Sequence, residues 1–256
     1  MSPVRVAIAG AGGRMGGALL DAARSTEGVA LGAALDVKEG KRGDVSIGTD
    51  VAAALRGSDV LIDFTRPEGT LAHVAACRAA KRGIVIGTTG FSAEQLANIR
   101  EAAREIPVML APNMSVGVNV MLKLVQLAAK ALGPDYDIDV FEMHHKLKVD
   151  APSGTALKLG EVAAAARDTS LERDGVFARQ GHTGERKAGT IGFAVARGGD
   201  VVGDHTVYFA GPGERIEITH RSSSRATYAQ GAMRAAKFVA SKREGLYGME
   251  DVLGLK

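Results

Sequence analysis

The chain opens with short apolar runs that alternate with alanine-rich stretches of helical spacing. Val4–Ala9, Val29–Leu35, Val60–Phe64, Ile84–Gly87 and Pro107–Ala111 are too short for helices and read as buried strands. Between them Arg14–Ser25, Gly69–Lys81 and Ala93–Glu105 repeat apolar positions at steps of three and four residues, and Ser92 is placed to cap the last. Strand–helix alternation of this kind specifies a parallel sheet with right-handed crossovers. Gly83, Gly90 and Gly133-Pro134 punctuate the element ends.

The pattern changes near Ser115. Val116–Leu132 reads as one long helix stopped by Gly133-Pro134, and strand-type runs follow at Ile138–Met143, Thr190–Arg197, Thr206–Ala210 and Arg215–His220. The turn signals Gly198-Gly199-Asp200 and Gly211-Pro212-Gly213 between them argue for an antiparallel or mixed sheet. Ala226–Lys242 is again alanine-rich and helical, like the first part. The expected fold is α/β. A Rossmann-type doubly wound parallel sheet takes residues 1–114 and 226–256, and a smaller α+β domain with a mixed or antiparallel sheet takes residues 115–225.

Composition narrows the class. A chain of 256 residues can bury a full core. Its formal charge of +3, scattered basic residues, four tyrosines and absence of tryptophan offer no basic stripe or stacking platform, so nucleic acid is not expected. A mild positive balance suits small anionic ligands. No apolar run approaches the ~20 residues that span a bilayer, and Val4-Arg5-Val6-Ala7-Ile8-Ala9 leads into glycines rather than a cleavage site. The single Cys77 excludes an intramolecular disulfide and reads as a small buried helix residue. A cytoplasmic protein without membrane segments is expected.

Gly10-Ala11-Gly12-Gly13-Arg14-Met15-Gly16 follows the first strand and opens a helix, where a dinucleotide pyrophosphate sits. Glycines admit the phosphates to the backbone, and the helix start supplies N–H groups and the positive dipole end. The spacing is G-x-x-G-x-x-G, with Met15 where the commoner fingerprint would have glycine. Asp36 ends the second strand 20 residues beyond Gly16, placed for the adenosine ribose hydroxyls and against a 2′-phosphate. Lys38, Lys41 and Arg42 either neutralise such a phosphate or form a solvated loop. NADH is the expected cofactor, with NADPH as the alternative.

The second concentration of chemistry is Glu142-Met143-His144-His145-Lys146-Leu147-Lys148-Val149-Asp150-Ala151-Pro152-Ser153-Gly154-Thr155. His144 and His145 end a strand, so they point to opposite faces and only one can meet a given substrate atom. Lys148 lies in the loop beyond, and Ser153 caps a helix over Gly154–Arg167. The amides of Ser153–Thr155 would make an anion nest for a carboxylate. The imidazoles lack H-E-x-x-H spacing, and adjacent histidines on a strand cannot chelate one ion in the usual way, so no metal is expected. Imidazole and amine beside a carboxylate nest are proton donors.

Together these residues resemble the dihydrodipicolinate (4-hydroxy-tetrahydrodipicolinate) reductase family of bacterial diaminopimelate and lysine synthesis. The likeness spans the chain through Gly10–Gly16, Ile62–Glu68, Gly87–Phe91, Ala111–Asn119, Gly181–Arg186 and Gly189–Phe193, besides the His-His…Lys…Pro-Ser-Gly-Thr motif. It implies hydride transfer from a nicotinamide to a cyclic imine-type dicarboxylate, with loss of water overall. It implies His144 as proton donor, Lys148 as a second donor, and His145, Gly154 and Thr155 on the substrate carboxylates. Gly10, Ala11, Gly12, Gly13, Arg14, Met15 and Asp36 would hold the dinucleotide. Gly87, Thr88, Thr89, Ala111, Pro112, Asn113 and Met114 would line the nicotinamide pocket. A homotetramer built through the second domain's sheet is implied too. Leu147 replaces a basic residue or histidine of some members, and Val37 stands where some carry an arginine for the 2′-phosphate.

Two other classes meet the same residues less well. A dinucleotide-binding regulator would keep Gly10–Gly16 without needing His144, Lys148 and Ser153–Thr155 together. The nearer alternative is another two-domain reductase of amino-acid metabolism, a semialdehyde or homoserine dehydrogenase; the former would need a catalytic cysteine, and Cys77 lies in a helical run with no turn around it.

Overall fold

β1 (Val4–Ala9) sends Val6 and Ile8 to one face and Ala7 and Ala9 to the other, and all four are buried. A strand apolar on both sides must be covered on both sides. The computed structural model describes residues 2–224 and 226–256; position 225, where the second expected domain ends, lies outside the described residues. From β1 the chain runs through α1 (Arg14–Ser25), β2 (Val29–Leu35), a hairpin of β3 (Gly40–Arg42) and β4 (Val45–Ile47), α2 (Val51–Arg56) and β5 (Val60–Asp63). Then come α3 (Pro67–Ala80), β6 (Gly83–Ile86), α4 (Ala93–Ala102), β7 (Pro107–Leu110), α5 (Val116–Leu132) and β8 (Asp137–His144). α6 (Gly154–Ala165), α7 (Leu171–Asp174), β9 (Gly175–Val176), β10 (Ile191–Arg197), β11 (Gly203–Gly211) and β12 (Glu214–Ser222) follow. α8 (Ala226–Ala240), β13 (Gly245–Tyr247) and α9 (Met249–Leu253) end the chain. The chain divides into two compact units, Met1–Val116 with Arg225–Lys256, and Gly117–Ser224.

The first unit holds a parallel sheet in the order β13-β7-β6-β5-β1-β2. α1 and α8 bury one face against Val6, Ile8, Val60, Ile62, Val85 and Met109. α2, α3 and α4 bury the other against Ala7, Leu61, Ile84, Ile86 and Val108. This is a doubly wound sheet. After β2 the chain crosses to the other side of β1, so the switch point opens at the carboxyl ends of β1 and β5, where such sheets bind ligands. Cys77 lies inside α3, where burial, and next the charge of Asp63, push its thiol up to about 12. It is inert packing.

The second unit holds a mixed sheet in the order β12-β11-β8-β10-β9. β11 is antiparallel to β12 and β8, whereas β10 is parallel to β8 and β9. α5 and α6 cover one face, with Met121, Val125, Ala156, Leu159 and Ala163 against Ile138, Val140, Ile191, Phe193, Val207 and Phe209. The run Val116–Asp135 has 20 residues and contains an 18-residue stretch with a mean hydropathy of 1.3; by length and composition alone it is apolar enough to cross a membrane, which corrects the expectation that none is. It carries Lys123 and Lys130, and its Met121, Val125 and Ala129 belong to this unit's core, as in an amphipathic core helix.

Candidate active site

In the first unit the turn after β1 has the geometry a pyrophosphate needs. A Cβ at Gly16 would overlap the Gly10 carbonyl oxygen and the Ala11 backbone, so only glycine lets α1 start this close to the strand end. A cavity of about 370 Å³ opens there, lined by Gly10, Gly13, Arg14, Met15, Gly16 and Phe64 among others. Asp36 meets the turn: its Oδ2 accepts the Gly12 N–H at 2.9 Å and its Oδ1 the Val37 N–H at 2.7 Å. Arg42 is seated as well. Its Nη1 donates to the carbonyls of Gly13 at 2.8 Å and Gly12 at 3.1 Å, so of the three basic residues beyond Asp36 this one belongs to the turn. These residues fit a dinucleotide.

Gly87 follows β6 and Ala111 follows β7, at the same carboxyl edge. Thr88 is buried, and its hydroxyl bonds Thr70 at 2.9 Å and Asp63 at 3.3 Å. Met114 puts its side chain in the core. Both positions therefore offer backbone rather than side chain, while Thr89, Pro112 and Asn113 are more accessible. Below them Asp63 is fully buried and accepts from the Thr65 amide at 2.8 Å, the Thr65 hydroxyl at 2.7 Å and His73 Nδ1 at 2.7 Å. Burial alone would raise its carboxyl, but His73 and Thr65 together hold it below the usual range.

In the second unit the end of β8 gathers the buried titratable groups. Ile138, Val140, Glu142 and His144 alternate onto its buried face. His144 Nδ1 lies 2.6 Å from Glu142 Oε2. The other carboxylate oxygen accepts the Ser153 N–H at 3.0 Å, and Arg197 grips both oxygens, at 2.7 and 2.8 Å. Burial would push the Glu142 carboxyl up, yet the Arg197 guanidinium, His144 and the Ser153 amide hold it below the ordinary carboxylate range. An ionised carboxylate only accepts, so His144 donates from Nδ1 and keeps Nε2 for exchange. A Cβ on Gly203 would stand 2.9 Å from that Nε2.

Ser153 caps α6, its Oγ accepting the Ala156 N–H at 3.2 Å, and Gly154 and Thr155 are the first helical residues. A Cβ at Gly154 would meet nothing within 4 Å, so the space beside Gly154 is open. His205 Nε2 is 3.0 Å from Ser153 Oγ, and its ring sits edge-on to His144 at 5.1 Å. Burial, then the neighbouring His144, push His205 down to about 4, which keeps it neutral. Lys148 Nζ rests on both Asp150 oxygens at 2.8 Å, and this pairing holds the Asp150 carboxyl low. His145 follows the end of β8 and is half-buried, with Nδ1 unpartnered. His144 and the helix start thus meet through Glu142. Among the described residues no group of three or more His, Cys, Asp or Glu is arranged to hold a metal.

Glu142 stands in the quoted stretch without a role expected for it, and Arg197 and His205 are absent from the residues expected on sequence. Glu142 had a legible signal, the i−2 position on the same strand face as His144. Arg197 and His205 arrive through strand pairing, Arg197 opposite His144 in β10 and His205 opposite Glu142 in β11.

Two family models match: dihydrodipicolinate reductase, N-terminus, over residues 4–114, and dihydrodipicolinate reductase, C-terminus, over residues 117–253. The 4-hydroxy-tetrahydrodipicolinate reductase of Dechloromonas aromatica is 55% identical over 100% of both chains. That of Cupriavidus necator is 56% identical over 99% of this chain and 100% of its own. Among solved structures, a dipicolinate-bound dihydrodipicolinate reductase from Paenisporosarcina sp. TG-14 superposes with a TM-score of 0.81 at 28% identity, covering 97% of this chain and 99% of the other. A probable dehydrogenase from Thermotoga maritima, with a TM-score of 0.62 at 13% identity over 97% of this chain and 92% of its own, shares the fold alone. Full-length identity above half, joined to a dinucleotide turn and a carboxylate-held imidazole, establishes that the chain belongs to the 4-hydroxy-tetrahydrodipicolinate reductase family of NAD(P)H-dependent oxidoreductases.

Proposed function

We propose that this chain reduces 4-hydroxy-tetrahydrodipicolinate to tetrahydrodipicolinate and water, with His144 delivering the proton. The observation that carries this reading is the buried Glu142, which bonds the His144 imidazole and the Ser153 amide at once. A reduced nicotinamide supplies the hydride when bound. Gly10, Ala11, Gly12, Gly13, Arg14 and Met15 receive its pyrophosphate, Asp36 the ribose, and the Gly87–Thr89 and Ala111–Met114 segments its ring. Gly154 and Thr155 hold a substrate carboxylate at the helix start, and His145 is a further carboxylate contact. Lys148 is the second donor once a substrate anion competes with Asp150 for its amine.

NADH is the preferred cofactor, supported by the Asp36 carboxylate at the turn; Arg42 supplies the cation through which NADPH is tolerated. A homotetramer is supported by the mixed sheet, whose Phe141, Met143 and Ala194 lie outside the core packed by α5 and α6. The reading places the enzyme in the cytoplasm. Aspartate semialdehyde and pyruvate condensed by the preceding synthase give the substrate for the test. Oxidation of NADH on adding this mixture, at a kcat/KM above that of NADPH, is the expected result. No oxidation of either cofactor would refute the activity, and a strong NADPH preference would refute the role of Asp36.

A further inference from the structure

We propose that Glu142 and Arg197 are positioning residues that tie proton delivery by His144 to the seating of substrate at Gly154 and Thr155, the helix start that follows Ser153. The proposal rests on the functional reading above.

A carboxylate offers about four acceptor sites. Glu142 fills them with four donor atoms from three residues: His144 Nδ1 at 2.6 Å and Arg197 Nη1 at 2.7 Å on Oε2, the Ser153 N–H at 3.0 Å and Arg197 Nη2 at 2.8 Å on Oε1. The guanidinium fork is planar and rigid, so a carboxylate held on both prongs cannot rotate. Its two oxygens then move together. A displacement of the helix start pulls Oε1 through the Ser153 amide and shifts Oε2 under the imidazole. Arg197 extends the same tie outward: Nη2 donates to the Asp150 carbonyl at 2.6 Å and Nη1 to the Ala196 carbonyl at 2.7 Å. Asp150 is the residue on which Lys148 rests, so the loop bearing the second donor hangs from the same guanidinium. A buried ion pair is weak evidence for stability, since apolar residues often replace one without loss. Four donors converging from a catalytic strand, a helix start and a neighbouring strand place one carboxylate between the substrate's anchor and its proton.

The test compares Glu142→Gln, Arg197→Lys and His144→Gln in the full chain, reading kcat, the Kd of dipicolinate with NADH bound, and the Kd of NADH alone. Glutamine keeps the size of Glu142 but turns an N–H₂ toward donors. Glu142→Gln is expected to lower kcat ~10²-fold and to weaken dipicolinate ~10-fold, with the Kd of NADH within about twofold of wild type. His144→Gln lowers kcat alone. Two-bond ¹H–¹⁵N histidine spectra should show Nδ1-protonated His144 in wild type and a tautomer mixture in Glu142→Gln. Glu142→Gln that leaves dipicolinate affinity at the wild-type value, whatever its kcat, would overturn the coupling. Should that variant not fold, Arg197→Lys, which keeps the cation and loses the fork, must lower both kcat and dipicolinate affinity, and a fall in only one or in neither overturns the coupling. Failure of the underlying function looks different, because wild type itself would then neither turn over nor bind dipicolinate.

Discussion

A proton donor has to keep one nitrogen anchored and the other free, and His144 meets both needs through residues of unlike kind. Glu142 anchors Nδ1, while at Nε2 the neighbour is Gly203, which leaves room because it has no side chain. A methyl there would stand 2.9 Å from Nε2, closer than real Cβ atoms come, and a tight 3.3 Å from Cδ2. The ring cannot swing away without breaking its bond to Glu142. Gly203→Ala is therefore expected to lower kcat at least ~10-fold and to cost ~1–3 kcal/mol of stability through overpacking. Steady-state kinetics and urea unfolding check it, and wild-type kcat in this variant would show that Nε2 is not the working nitrogen.

The helix start at α6 is the element proposed to seat the substrate anion, and its first turn is capped by one hydroxyl. Ser153 Oγ satisfies the Ala156 N–H and touches His205, while its backbone N–H goes to Glu142. Ser153→Ala removes the cap and is expected to cost ~1 kcal/mol, seen as a lower urea midpoint at unchanged m-value; an unaltered midpoint would mean that the cap carries no stability. Such elements were legible in the sequence where pattern and punctuation agreed. β1, α1, β2 and α5 have the expected bounds, because their apolar residues face buried surfaces and glycine or Gly-Pro marks an end. The β3–β4 hairpin, α2 and β13 were not legible, since runs of three to six residues carry too little period to stand out. Motif residues such as His144 and Gly10 announce themselves locally. Arg197 does not: it reaches Glu142 only because β10 pairs in parallel with β8, 55 positions away in the chain.

For the whole molecule, buried ionisable groups make stability depend on pH in two separate windows. His205 is pushed down from 6.5 to about 4, chiefly by burial, so the folded chain stays neutral there while the unfolded chain takes up a proton. Its contribution is complete above pH 6.5 and is lost as pH falls toward 4, a change of ~3 kcal/mol at most. Glu142 and Asp63, held below the carboxylate range by their partners, act in the same direction at lower pH: their contribution is present above the unfolded carboxylate value and disappears as pH drops through their lowered values. His220 is also lowered by burial, so it adds to the first window without sharing a hydrogen bond with His205. Replacing His205 should therefore flatten, but not abolish, the upper window and leave the lower one in place. Between pH 7 and 4.5, His205→Gln is expected to lose ~2 kcal/mol less unfolding free energy than wild type, measured by urea titration at each pH. Parallel pH dependence in the two proteins would mean that His205 takes up its proton equally in the folded and unfolded chains, and that the imidazole beside His144 is not held neutral.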